Sequence, residues 1–219
     1  RELQHGPMPR VVPRVRRRAM RWLEWIQTLT TVSQRGLAYS KDPYDRDNYE
    51  LLRALCAEMV LHGAQEPIDA KALLSAQTGY PTPKVDVRAA VVRDGQLLLV
   101  KETQDGKWAL PGGWADLGVS PADMAAKEVR EETGFEVKAT RLLGVFGKRV
   151  NDANIFSVYK LIFQCELLGG EARTSHETSD VRFFPRDAVP ELSMNRTHPR
   201  HLEVVFARLD DASLPAFFE

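Results

Sequence analysis

Gly112–Phe135 reads GGWADLGVSPADMAAKEVREETGF, a paired-glycine turn followed by a loop and a helix rich in glutamate. Ser120 is a favoured helix N-cap. Pro121 suits the first turn, where its missing N–H would be unpaired anyway. Gly134 is the usual C-terminal stop. Between these signals, Glu128, Glu131 and Glu132 fall at i, i+3 and i+4 and share one helical face. Met124, Ala125 and Val129 supply the opposite, buried side. Like charges stacked over one turn repel each other. A hard cation relieves that repulsion, because Mg²⁺ and Mn²⁺ prefer carboxylate oxygens. Three glutamates alone favour a solvated acidic face, so the surrounding residues must decide.

Upstream of this stretch the hydrophobic period is two. Val85, Val87, Ala89 and Val91 alternate along one strand, Asp94-Gly95 signals a hairpin turn, and Gln96–Lys101 forms a second strand. A turn at Gln104-Asp105-Gly106 and a short strand at Trp108–Leu110 lead into the paired glycines. Downstream, Glu136–Val150 reads as one or two strands and Ile155–Leu167 as a long one. Val181–Phe184 is a short strand, and Thr197–Arg208 is a final helix. Strands joined by hairpins argue for a mixed α/β order and against a doubly wound sheet.

Before GYPTP (residues 79–83) the period is helical. Val15–Gln34 carries Trp22, Ile26 and Leu29, widened by Leu23 and Trp25, with Gly36 as a stop. Asp47–His62 presents Leu51, Leu52, Leu55, Met59 and Val60, with Asp45 or Asp47 as its cap. A short third helix is expected over Ile68–Ala76. A unit of this size has a marginal core, so it either packs on the rest of the chain or pairs with a second copy.

Totals exclude several classes. Among 219 residues, Lys+Arg and Asp+Glu balance at 30 each, which argues for neither a nucleic-acid binder nor an acidic tail. Arg10, Arg14, Arg16, Arg17, Arg18 and Arg21 suit RNA or another polyanion, but without interleaved aromatics a solvated tail and first turn is favoured. Cys56 and Cys165 lie far apart in apolar surroundings and read as buried thiols of a reducing compartment. No apolar run spans a membrane and no secretory signal is evident, so the default is a soluble cytoplasmic protein.

From Gly113 the chain resembles the Nudix box, G-x5-E-x7-R-E-U-x-E-E-x-G-U, where U is aliphatic or aromatic. Gly113, Glu128, Val129, Glu131, Glu132, Gly134 and Phe135 occupy their positions, and Leu110-Pro111-Gly112-Gly113 matches the family's lead-in. Two positions depart. Val119 stands where the box has glutamate and Lys127 where it has arginine, which removes an ion pair that helps hold the loop on the helix. The segment from Met20 to Met59, together with LSMNRT and HLEVVF near the C-terminus, is similar to a subgroup with a helical N-terminal extension. Members of that subgroup are described as ADP-ribose or CDP-choline pyrophosphatases, are typically homodimers, and in some cases trim RNA.

The resemblance implies an α+β fold: a Nudix α/β/α sandwich with a mixed sheet, preceded by a small all-α N-terminal domain. Residues 1–14 would be a disordered or tag-like tail, 15–80 a helical dimerisation domain, and 84–212 the hydrolase domain. The implied reaction is Mg²⁺-dependent hydrolysis of a nucleoside diphosphate linked to a group X, with Mn²⁺ as an alternative ion. Glu128, Glu131, Glu132 and Gly112 are the expected metal ligands. Glu131, Glu132 and Glu177 are the expected catalytic residues, with His176 and Asp180 as alternatives to Glu177 as base. Arg88, Lys101 and Arg149 lie on predicted strands near the cleft as phosphate contacts. Trp108, Trp114, Phe146 and Phe156 are candidates to stack a base. Two further readings keep the fold: a nucleotide-sugar-sensing module, favoured by Val119, and an RNA-trimming enzyme, favoured by the arginine run.

Overall fold

The computed structural model describes residues 14–63, 80–148 and 157–219. The expected helix at Ile68–Ala76, Arg149 and Phe156 lie outside these residues, as do the side chains of Trp22 and of the arginines up to Arg21. The chain divides between Thr82 and Pro83 into two units.

The first unit contains α1 (Arg14–Tyr39) and α2 (Pro43–Gly63). Gly36 does not stop α1; the helix runs through it. The reason is tertiary: a Cβ at Gly36 would lie 2.3 Å from ring atoms of Tyr49, so the glycine admits an aromatic ring from α2. Beside it, Ser33 Oγ donates to the Tyr49 carbonyl at 2.6 Å. The cap of α2 is Asp42, not Asp45 or Asp47. Its carboxylate accepts from the N–H groups of Tyr44 (2.9 Å) and Asp45 (3.1 Å). Ile26, Cys56 and Val60 form the buried seam, flanked by Leu29, Leu52 and Met59. Trp25, Val32, Leu51, Leu55 and Leu61 remain exposed.

The second unit is an eight-stranded mixed sheet between two helices. Its strands are β1 (Lys84–Arg93), β2 (Gln96–Glu102), β3 (Trp108–Ala109), β4 (Gly112–Trp114), β5 (Phe135–Lys148), β6 (Val158–Gly170), β7 (Thr178–Phe184) and β8 (Phe217–Phe218). The helices are α3 (Pro121–Thr133) and α4 (Pro199–Asp210). Asp94 and Gly95 both adopt positive φ, as the turn between β1 and β2 requires. β1 pairs in parallel with β6, and β5 and β6 form a long antiparallel ribbon. The residue period of two sorts β1 onto two cores. Val87, Ala89 and Val91 face Met124, Ala125 and Val129 of α3, whereas Ala90 faces the opposite cluster with Leu202 and Val205 of α4. Thr197 precedes the last helix instead of starting it; His198 is the cap and Pro199 the first helical residue. No described helix is long and apolar enough to cross a membrane.

Gly36→Ala reverses the usual sign of a helical glycine substitution. In an open helix alanine gains about 1 kcal/mol. Here the Cβ would displace the Tyr49 ring, an overpacking expected to cost about 1–3 kcal/mol. Thermal unfolding of the full chain should show a lower midpoint for the helical unit, and an unchanged or raised midpoint would refute this packing.

Candidate active site

The site is built where β1 and β2 part. They pair at Val92↔Leu97 and Arg93↔Gln96, beside their shared hairpin. β1 then takes β4 as partner, with Val87 opposite Gly113 and Arg88 opposite Gly112, while β2 takes β3, with Val100 opposite Ala109. The turn 110–112 therefore bridges the two diverging strands. Glycine is required at its end: Gly112 has φ 141°, and a Cβ there would lie 2.0 Å from the Val87 carbonyl oxygen. At Gly113 a Cβ would crowd both Glu128 carboxylate oxygens at 3.1 Å.

Helix α3 carries its glutamates against this turn. Ser120 Oγ accepts from the Asp123 N–H, and Gly134 closes the other end in the left-handed conformation. Glu132 is buried, and its Oε2 accepts the Gly112 N–H at 2.8 Å. Burial pushes its pKa up to about 8; the Arg88 charge and the Gly112 N–H oppose this, while the Glu128 and Glu102 charges add to it. Glu128 is half-buried, and burial, reinforced by the Glu131 and Glu177 charges, raises it to about 6. Glu131 is exposed, with Lys127 Nζ 3.7 Å away. Glu128 and Glu132 thus point inward and Glu131 does not share their burial. Among the described residues, no three carboxylate, histidine or cysteine side chains are gathered into a ready-made cage. The donors still fit a hard divalent cation. Two desolvated carboxylates favour protons over bare charge, and a cation supplies the compensation instead.

The altered box positions have a local solution. Lys127 Nζ lies 2.5 Å from Asp116 Oδ2, inside the loop it must hold, so loss of the box glutamate at Val119 does not leave the lysine unpartnered. Lys127 therefore keeps a carboxylate partner within the loop although the box glutamate is absent.

Glu177 is exposed beside His176, 3.2 Å away, and its backbone carbonyl accepts from the Thr103 N–H and hydroxyl. Asp180 is paired with Arg182 at 2.7 Å. Arg88 is buried, and its guanidinium donates to both Asp86 oxygens (2.9 and 3.0 Å) and to the Leu110 carbonyl (3.1 Å), so it grips the turn. Lys160 also binds Asp86, at 2.7 Å. Burial alone would raise the Asp86 pKa, but the Arg88 and Lys160 charges hold it well below the usual carboxylate range. Lys101 is half-buried on β2 opposite Trp108 and Asp180. Trp108 and Phe146 are core residues, packed on Phe184 and Phe217 respectively. Trp114 is half-exposed, with Lys84 over its ring.

Sequence reasoning missed Asp86, Glu102, Asp116, Arg196 and Thr197. The Thr197 hydroxyl accepts the Leu110 N–H at 2.9 Å, so both backbone groups of Leu110 are held by side chains from other elements. The only advance signal for Arg196 and Thr197 was the LSMNRT segment, which stood out by likeness and not by chemistry.

Comparison with known proteins agrees with this geometry. Residues 20–81 match a family described as UDP-X-like, N-terminal oligomerisation domain, and residues 82–205 match the NUDIX domain. The putative ADP-ribose pyrophosphatase YjhB of Bacillus subtilis (strain 168) is 41% identical over 189 residues, covering 85% of this chain and 91% of the relative. The crystal structure of a UDP-X diphosphatase is 32% identical with a TM-score of 0.60, covering 92% of this chain and 99% of that one. An ADP-ribose pyrophosphatase from Streptococcus suis 89-1591 is 36% identical with a TM-score of 0.58, covering 63% of this chain and 100% of that one. A glutamate helix locked to a glycine turn, on a domain of this topology and with this likeness, makes the chain a member of the Nudix hydrolase family.

Proposed function

We propose that the chain hydrolyses the pyrophosphate bond of a nucleoside diphosphate linked to a group X, with Mg²⁺ or Mn²⁺, releasing a nucleoside monophosphate and phospho-X. One observation carries the reading: Glu128 and the buried Glu132, whose carboxylate accepts the Gly112 N–H, lie against a glycine turn that leaves no side chain in the way. A divalent metal supplies charge neutralisation of the phosphates and a more acidic attacking water. Glu128 and Glu132 would hold it, with the Gly112 carbonyl and Glu131 as further donors. Glu131 or Glu177 would orient the water, with Glu177 taking its proton. Relatives named for ADP-ribose and UDP-X support the substrate class, and CDP-choline belongs to the same chemistry.

ADP-ribose, UDP-glucose and CDP-choline, assayed with Mg²⁺ and scored by kcat/KM, test the reading directly. At least one should be turned over; binding without turnover of any diphosphate would sink it. Glu132→Gln keeps an acceptor for the Gly112 N–H but not the charge, so the rate should fall about 10²-fold or more with the fold intact. Val119→Glu should change the rate by no more than about twofold, because Asp116 already engages Lys127 and exposed pairs contribute little. A large gain would show that Asp116 is an inadequate substitute.

The raised carboxyl pKa values set a pH dependence. Below about pH 8 Glu132 increasingly holds a proton that the metal must displace. The Mg²⁺ concentration for half-maximal rate should therefore rise as pH falls from 8 to 6, approaching about tenfold per unit for one displaced proton. A flat requirement across that range would remove Glu132 from the metal site.

The same reading includes a homodimer formed through the helical unit, consistent with its match to an oligomerisation domain and with the exposed Val32, Leu51, Leu55 and Leu61. Sedimentation at micromolar concentration should give a dimer; a monomer would contradict the pairing.

A further inference from the structure

The segment Leu192–Thr197 is fastened to the site at both ends. The Ser193 N–H donates to the Trp108 carbonyl (2.8 Å), Ser193 Oγ donates to Asp105 (2.7 Å), and the Thr197 hydroxyl accepts from the Leu110 N–H (2.9 Å). Arg196 lies between these anchors. Its Nε sits 2.9 Å from Glu102 Oε1, and its Nη2 donates to Gln104 Oε1 at 3.0 Å. Glu102 is 3% exposed, yet Oε1 receives no hydrogen bond among the described residues. The contact with Arg196 is therefore a charge contact off the line of the N–H. Of the five N–H donors an arginine carries, only that on Nη2 is directed at a described acceptor.

Arg196 thus differs from Arg88, whose guanidinium is buried and bonded on both edges. The Arg196 side chain is 29% exposed, so it is not sealed in the interior as Arg88 is. It also borders the acidic cluster. Glu102, its partner, is close enough to Arg88, Glu132 and Glu177 to interact with their charges. Thr178, opposite Glu102 in the β2–β7 register, donates to the Glu132 carbonyl at 2.8 Å. A buried, incompletely hydrogen-bonded carboxylate is a poor device for stability alone. It is a good device for holding an arginine fork in place, and such a fork matches phosphate oxygens in pairs. A polyanion approaching these glutamates meets like charge, which a fixed cation at their border would offset.

We propose that Arg196 binds the phosphate groups of the substrate, and that Glu102 and Gln104 are positioning residues that hold its guanidinium. This inference rests on the diphosphate reading of the same site. The test uses the full chain and α,β-methylene-ADP, a diphosphate that cannot be cleaved at the bridging position, with Mg²⁺ and calorimetry. Arg196→Gln should weaken binding about 10- to 100-fold and raise KM for a hydrolysed diphosphate far more than it lowers kcat. Arg196→Lys keeps the charge against Glu102 and loses the fork, and should still bind about fivefold or more weakly; it carries the test if Arg196→Gln does not fold. Glu102→Gln should raise KM through the loosened arginine, with kcat less affected. Binding by both Arg196 variants within about twofold of the parent would overturn the assignment, as would equal losses in kcat and melting temperature with KM unchanged. A parent chain that binds the probe but hydrolyses no diphosphate defeats the hydrolase reading and leaves Arg196 to be judged on the variants; one that does not bind it overturns the assignment.

Discussion

A single hydrogen bond, from the Gly112 N–H to the buried carboxylate of Glu132, couples the turn to the helix. Everything nearby is arranged around it. The turn must come close enough to donate, so glycine is needed where a Cβ would strike the Val87 carbonyl or the Glu128 carboxylate. The last turn of α3 must be packed down, which Met124, Ala125 and Val129 achieve against β1. Packing it down desolvates Glu132, and one N–H does not restore what water gave the ion. The residual demand is met by a proton, by the Arg88 charge nearby or by a bound cation. The site's reluctance to ionise, and the metal binding proposed for it, follow from the same burial.

The turn is held from behind as well. Arg88 takes the Leu110 carbonyl and Thr197 takes its N–H, from opposite ends of the domain sequence. Arg88 is itself fixed by Asp86, which Lys160 shares, so a buried network of three charges stands under the turn. Breaking one member of such a network by leaving a charge unpaired typically costs about 3–5 kcal/mol. That rigidity locates a positive charge beside Glu132 without exposing it to a ligand. It also explains why Arg88, which by strand position alone looked suited to meet phosphate, is directed at the backbone.

Local chemistry was legible in the sequence wherever it acted over a few residues. The Ser120 cap, Pro121 and Gly134 bounded α3, and Asp94-Gly95 placed the hairpin, because caps and turns depend on neighbours. Gly36 was misleading for the opposite reason. Its role is set by Tyr49 on another helix, and tertiary packing overrode its stop signal. Asp116 was equally hidden: the box pattern predicts a partner for Lys127 at position 119, and the structure places one three residues earlier in the loop. Glu128 and Glu132 could be picked out by spacing, but their burial relative to Glu131 required the fold. The anchoring of Arg196 to Glu102 depends on a loop returning across the sheet, which no periodicity reports.

The bond between Leu110 and Thr197 joins positions 87 residues apart. During synthesis the whole glutamate box emerges well before Thr197 does, so a nascent chain can display every box residue while the turn still lacks one of its clasps. Parallel pairing of β1 with β6 imposes the same order, since β6 follows the box. Contacts this distant are entropically slow to close. The turn is therefore fully clasped only once the segment that carries Thr197 has docked.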